Sequence, residues 1–304
     1  KQLEPWQILF LQKQCLVHWG VGAEKISALH LVHWLRDHFR LGEQKYYKIS
    51  GGAGTLTEAL YDRINGVLPS QGVQFGYKLT EIELENDYYV LSFTSPKGHV
   101  EIQAQNVICT LPATMLRQVK GWQNIAMSDN RKQLISEQEL GSHSKLVTSY
   151  NNRFWRDNLP FVAGANILTD LKTLAIMEAG DPVDLGTDTV HGLLEAYYAG
   201  DVGAEAGPHL LQNKMQDMAA LGFKNISFEN IDILQNWKKN PWSLGSRSYL
   251  GPGQFQKIEM ELPQSTTWFF AGDTDNPGLA GTMNGAVRSA QRAVRYIEQL
   301  MSLS

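Results

Sequence analysis

The stretch that most constrains this chain lies near its C-terminus. Trp268-Phe269-Phe270-Ala271-Gly272-Asp273 is an apolar run that closes on a small turn, and a loop rich in Gly, Asn and Pro follows from Thr274 to Gly281. Beyond it, apolar residues recur at Met283, Ala286, Val287, Ala290, Val294, Ile297 and Met301, which is the 3.6-residue period of one helix face. The order is buried strand, glycine-rich turn, helix N-terminus. Such a turn aims unpaired backbone N–H groups and the positive end of the helix dipole at one spot, which suits an anionic or electron-rich ligand. An ordinary strand-to-helix connection has the same pattern, and geometry alone favours that plainer reading.

Earlier segments give the turn its setting. Residues 3–40 read as helices, with one apolar stripe at Ile8, Leu9, Leu11, Cys15, Leu16 and Trp19 and a second at Ile26, Leu29, Val32, Leu35 and Phe39, broken by Gly20 and Gly22. Four histidines, His18, His30, His33 and His38, fall here without a carboxylate or third histidine at ligand spacing, so no metal is expected. Tyr46 to Ile49 reads as a short strand, then Gly51-Gly52-Ala53-Gly54 leads into a helix from Thr55 to Ile64. The glycine spacing is wrong for a dinucleotide fingerprint, and no acidic residue follows at the required distance. Residues 72–111 alternate as strands, starting at Val73 and Phe75, with turns at Asn86-Asp87 and Pro96-Lys97-Gly98; Val107 to Leu111 is a buried strand stopped by Pro112.

Residues 125–141 read as a polar helix. Ser144 to Tyr150 alternates as a strand carrying Lys145 and runs to Arg153-Phe154-Trp155. His191 to Ala199 reads as a buried strand, and 207–221 as a helix with Leu210, Leu211, Met215, Met218 and Leu221 inward. Ile231 to Trp242 leads into the glycine-rich run Ser243 to Gly253. The whole reads as a mixed α/β chain (α+β).

Bulk properties exclude several classes. A net charge of −4 offers no basic face for nucleic acid. Cys15 and Cys109 cannot form a disulfide framework or a Cys-rich metal site. No apolar run is long enough to span a membrane, and no signal peptide is visible in Lys1 to Gly20. The compartment stays open, with the cytoplasm as the default. The chain begins at Lys1 rather than Met, as a processed or partial product would. No G-x-S-x-G elbow points to a hydrolase.

Five of these segments, in this order, resemble the flavin-dependent amine oxidases, the family of monoamine, polyamine and L-amino-acid oxidases: the G-G helix, the β-meander, the K-L-V-T-S-Y-N-N-R-F-W strand, the W-x-x-x-P…P-G-Q segment and A-G-D…G-T-M-N-G-A. The resemblance implies the C-terminal portion of a two-domain fold whose segments interleave. Residues 1–48 would be substrate-domain helices, 49–118 an FAD-domain return segment, 119–262 the substrate domain and 263–304 the closing FAD-domain strand and helix. It implies that Lys145 holds a water against the flavin and that Leu79 meets the adenine end of FAD. Trp237 would pack beside the ring system. Gly272, Asp273 and Gly281, with the backbone of Thr282 and Met283, would line the ribityl side and the pyrimidine ring. Gly245, Ser246 and Arg247 would form a wall of the substrate site.

The departures from the family pattern also carry expectations. The N-terminal G-x-G-x-x-G unit that docks the pyrophosphate is absent, so a second polypeptide or a cleaved N-terminal fragment is expected to complete the cradle. Gly245 stands where some monoamine oxidases carry a cysteine bonded to FAD, which implies a non-covalent flavin. Ser246 and Thr282 replace two tyrosines that face the flavin there. The implied reaction is hydride transfer from the C–N carbon of an amine or L-amino acid, with molecular oxygen as acceptor and an imine and hydrogen peroxide as products. Arg247 is a candidate for a substrate carboxylate, though strand alternation can equally turn it to solvent.

Overall fold

The structure, a computed structural model, describes residues 2–40, 49, 51–68, 72–156, 166–179, 192–223, 230–261, 267–276 and 279–303. The expected strand at Tyr46 to Ile49 lies outside them except for Ile49, as does His191. Among the described residues the fold mixes helices with three sheets.

The first sheet is the meander β1 (Lys78–Glu85), β2 (Tyr88–Ser95) and β3 (Gly98–Ala104), paired antiparallel in sequence order. Its two turns sit where the turn residues predicted, with left-handed backbone at Asn86 and Gly98. Val73 and Phe75 lie outside it; Gly72 and Gly76 flank them, and Gly76 has φ +77. The buried face, Ile82, Tyr89 and Leu91, packs on Cys109 and Trp268. Those two belong to β4 (Val107–Cys109) and β10 (Trp268–Phe270), a parallel pair in register Trp268 to Val107. Two segments far apart in the chain are thereby joined. The Tyr89 ring meets Trp268 edge-on with centroids 5.0 Å apart, a contact worth roughly 0.5–1.5 kcal/mol beyond its area.

The third sheet has the order β6 (Asn166–Leu168), β7 (Ala175–Glu178), β8 (Gly192–Ala199), β5 (His143–Tyr150) and β9 (Asn230–Asn236), all antiparallel. Its core includes Tyr150, Trp155, Ile176 and Leu194. Against it lies α7 (Leu210–Ala220), whose inward face differs from expectation. Lys214 and Asp217 are buried there with Leu210 and Met218, whereas Met215 is half-buried. Lys214 Nζ donates to Thr148 Oγ1 at 2.6 Å and to the Leu194 carbonyl at 2.8 Å, so hydrogen bonds satisfy the charged end that hydrophobic periodicity overlooks.

The helices show the same effect. In α1 (Pro5–Trp19), Cys15 and Trp19 are buried but Ile8 and Leu9 are exposed. In α2 (Ala28–Arg40) the inward residues are His30, Leu31 and Trp34, not Leu29 and Val32. The polar helix expected over 125–141 is shorter, α5 (Asp129–Glu137), because Ser128 caps it by accepting the Arg131 N–H. In α9 (Met283–Leu303) the face turned inward is Gly285, Ser289 and Ala293. Met283, Val287, Val294 and Met301, from the predicted stripe, are exposed. Leu56, Leu60 and Ile64 of α3 (Gly54–Val67) are exposed as well. Among the described residues, no helix is long and apolar enough to cross a membrane, and no group of His, Cys, Asp or Glu could hold a metal ion.

Candidate active site

Three stretches meet around a cleft of about 250 Å3. The end of β4 contributes Thr110, Leu111 and Pro112. The glycine-rich run contributes Ser243, Gly245 and Ser246, with Leu140 behind them. The turn after β10 contributes Ala271 to Asp275.

Backbone pairing fixes each wall. The Ala271 N–H donates to the Cys109 carbonyl at 2.9 Å, which extends the parallel pair to the mouth of the turn. Gly141 donates to the Arg247 carbonyl, and Ser246 donates back to Gly141, both at 2.8 Å. The 245–248 run is thus laid along 140–141, and Leu140 pairs with Ser248 as an antiparallel bridge. Nothing larger than glycine fits at Gly245, since an added Cβ would stand 2.2 Å from Leu140 Cβ. The opposite wall is stapled to α9, where Gly272 N–H donates to Ser289 Oγ at 2.8 Å. An added Cβ on Gly272 would meet nothing within 4 Å, so a ligand can approach this backbone closely.

The acidic turn is braced from two sides. Ser248 Oγ donates to Asp273 Oδ2, and the Gly281 N–H donates to the Asp273 carbonyl at 3.2 Å. Gly281 has φ +78, and a Cβ there would lie 3.1 Å from the Ser248 carbonyl. Arg247 Nε donates to the Gly281 carbonyl at 2.8 Å, so this arm of the guanidinium braces the loop. Thr282 Oγ1 accepts the Gly285 N–H at 3.0 Å and caps α9. The amides of Met283 and Asn284 belong to the first turn, where helix geometry offers no internal acceptor. Asp275 forms an ion pair with Arg131, whose guanidinium lies 4.0 Å over the Phe270 ring.

Lys145 and Trp237 reach this wall through a residue the sequence did not single out. His143 begins β5, two positions before Lys145 and on the same face of the strand. Its Nδ1 is 2.6 Å from Ser246 Oγ, its Nε2 is 2.9 Å from the Leu16 carbonyl, and its own carbonyl accepts the Trp237 N–H at 3.2 Å. The ring stacks on Tyr197 with centroids 4.9 Å apart. Lys145 Nζ stands 5.5 Å from the centre of the same tyrosine ring and 2.9 Å from Glu195 Oε1. Burial, with the positive charges of Arg247 and Lys145, holds the His143 pKa down to about 4 against the opposing pull of the Leu16 carbonyl. Burial likewise pushes the Tyr197 hydroxyl up to about 12.

Of the residues singled out from the sequence, Gly245, Ser246, Gly272 and Asp273 line one cleft. Arg247, Gly281 and Thr282 join it through hydrogen bonds and Met283 by adjacency, and Lys145 and Trp237 connect through His143. Leu79 stands apart on the meander, packed against the core under β4 and β10. His143, Arg131 and Asp275 were missed. Their partners are remote in the chain, and no local spacing announces them.

The chain matches the model of the flavin containing amine oxidoreductases over residues 2–298. It is 21% identical over 276 residues to an L-amino-acid oxidase of Echis ocellatus, covering 86% of this chain and 51% of that protein. It is 24% identical over 262 residues to the flavin-containing amine oxidase B of Sus scrofa, covering 84% and 47%. The chain therefore spans about half the length of these relatives. In fold it is similar to cyclohexylamine oxidase from Brevibacterium oxydans IH-35A, with a TM-score of 0.78 at 17% identity over 99% of this chain and 66% of that one. With the family model covering nearly the whole chain, the protein belongs to the flavin-containing amine oxidoreductases.

Proposed function

We propose that this chain supplies the substrate wall and one side of the flavin cradle of an FAD-dependent oxidase acting on amines or L-amino acids. The observation that carries the reading is the convergence of the Gly272-Asp273 turn, the 245–246 wall and the end of β4 on one cleft. The residues fit a flavin. Gly272 leaves its backbone open, Asp273 offers a carboxylate to hydroxyl donors, and the first-turn amides of α9 suit electron-rich ring atoms. When bound, the flavin supplies a two-electron acceptor, so that the amine becomes an imine, hydrolysed to a carbonyl compound and ammonia, and oxygen leaves as hydrogen peroxide.

The rest of the work falls to this chain. The 245–248 wall and Trp237 orient the substrate and exclude water. Lys145, held by Glu195 over Tyr197, positions a water for the oxygen half-reaction. The crowding of Gly245 against Leu140 leaves no room for a cysteine tether, which favours non-covalent binding.

A second polypeptide, or an N-terminal fragment of the same precursor, would complete the pyrophosphate site. One observation supports this: α3 and α9 turn apolar residues outward at Leu60, Ile64, Val287 and Val294, which a further segment would cover. The same observation favours, as a second reading, a non-catalytic subunit that keeps the fold for assembly.

A visible absorption spectrum of the native complex, before and after adding amines and L-amino acids, with a peroxide assay, tests these readings. A flavin band bleached by an amine or amino acid supports the oxidase. A colourless complex supports the non-catalytic subunit, and peroxide formed only with C–C substrates points to a desaturase or protoporphyrinogen-type oxidase. Stoichiometric FAD on this chain alone would overturn the need for a second polypeptide.

A further inference from the structure

The His143 imidazole is surrounded by groups that fix its tautomer. Its Nε2 faces the Leu16 carbonyl oxygen, which has no hydrogen to give, so Nε2 carries the proton. A neutral ring then has a lone pair at Nδ1, 2.6 Å from Ser246 Oγ. Burial keeps the ring neutral at ordinary pH. Ser246 Oγ also lies 2.8 Å from the Gly141 carbonyl oxygen. The one hydroxyl hydrogen of Ser246 thus has two protein acceptors, and neither can donate back to it. Ser246 therefore turns a lone pair, not a hydrogen, towards the cleft it lines. The lining carries two carboxylates, Asp273 and Asp275, the second paired with Arg131, and Arg247 adds a positive charge beside Ser246.

We propose that His143 is a positioning residue that holds Ser246 as a hydrogen-bond acceptor at the cleft wall. This end of the cleft then takes a nitrogen that carries N–H, and rejects a group with only lone pairs. The inference rests on the amine reading above and narrows it to the role of one wall. The competing role for His143 is a plain structural tie between the Leu16 carbonyl at the end of α1 and the third sheet.

Two substitutions separate the roles. His143→Gln keeps an N–H near the Nε2 position for Leu16 but loses one of the two acceptors for Ser246, leaving the Gly141 carbonyl. His143→Asn keeps an oxygen near the Nδ1 position but loses the bond to Leu16. In the complete flavin-loaded protein, binding of benzylamine and of benzyltrimethylammonium, a cation without N–H, is read from the shift of the flavin band. Loss of one neutral hydrogen bond predicts about three- to tenfold weaker benzylamine binding for His143→Gln. The trimethylammonium compound should be unaffected, and His143→Asn should stay near wild type. Ser246→Ala should weaken benzylamine binding at least as much as His143→Gln, and the double variant should bind no worse than Ser246→Ala alone. Nitrogen-15 NMR of the unliganded protein should show the Nε2–H tautomer at His143. An Nδ1–H tautomer, or equal weakening of both ligands in Gln and Asn variants, overturns the inference while leaving the amine reading intact. A flavin band in the wild type that no amine perturbs overturns that reading and the inference with it.

Discussion

Lys145 Nζ lies 2.9 Å from Glu195 Oε1, across the pair of strands β5 and β8. The lysine is half-exposed and the glutamate nearly buried, so the carboxylate holds the ammonium on the sheet face rather than letting it swing into solvent. With the lysine half in solvent the pair adds little to stability, and its value lies in placing Nζ.

Lys145→Met should therefore leave the fold intact and slow flavin reoxidation by oxygen about tenfold or more, with flavin reduction by substrate changed much less. Stopped-flow measurement of the two half-reactions separates them. Equal slowing of both would argue against the water-positioning role.

Gly245→Cys tests the crowding at the cleft wall. An added side chain begins 2.2 Å from Leu140 Cβ, so the 245–248 run must move. Overpacking of this kind costs about 1–3 kcal/mol, read as a lowered Tm. A variant as stable as the parent, with a covalently attached flavin, would show that the wall yields.

Gly281→Ala acts through the backbone. At φ +78, with Ser248 O 3.1 Å from the new Cβ, the change should cost roughly 1–2 kcal/mol. It should also loosen the Asp273 turn, seen as faster amide exchange at Gly281. Unchanged exchange would mean that the Arg247 and Ser248 side chains hold the loop without help from the backbone at 281.

His30 and His143 make stability depend on pH. Both are held neutral in the fold, with pKa values lowered to about 4 chiefly by burial. The unfolded rings titrate near their ordinary value of about 6.5. Between those values the unfolded state binds more protons, so the stabilisation is complete above about pH 6.5 and is lost as pH falls towards 4. Urea denaturation at a series of pH values should show this slope, of a few kcal/mol per ring at most. His143→Asn should flatten it; a slope unaffected by the change would assign it to other groups.

Local signals in the sequence were read correctly where they act locally. Asn86-Asp87 and Lys97-Gly98 turn the chain by their own backbone preferences; β4, read as a buried strand running to Leu111, instead ends at Cys109, with Ile108 and Leu111 exposed. The Gly272-Asp273 turn was equally legible. Inward faces were harder. The fully buried positions of α9 are Gly285, Ser289 and Ala293, small residues chosen for close approach, so a search for apolar residues found Ala290 and Ile297 at the edge of the packed face but also took in the exposed Met283, Val287, Val294 and Met301. Lys214 is buried because Thr148 and Leu194, from two strands, receive its hydrogens. His143 matters through Leu16 and Ser246, which only the folded chain brings to it.

The pairing of β4 with β10 sets an order of assembly. Most of the chain separates the two strands, and no shorter loop closure can stand in for their meeting. On a ribosome the meander and the broad sheet emerge before Trp268 to Phe270 and the turn behind them. The cleft is then completed after its other walls have had time to settle. A chain stopped short of Trp268 lacks the partner of β4 and the ring against which the meander packs, and never closes the place where chemistry would occur.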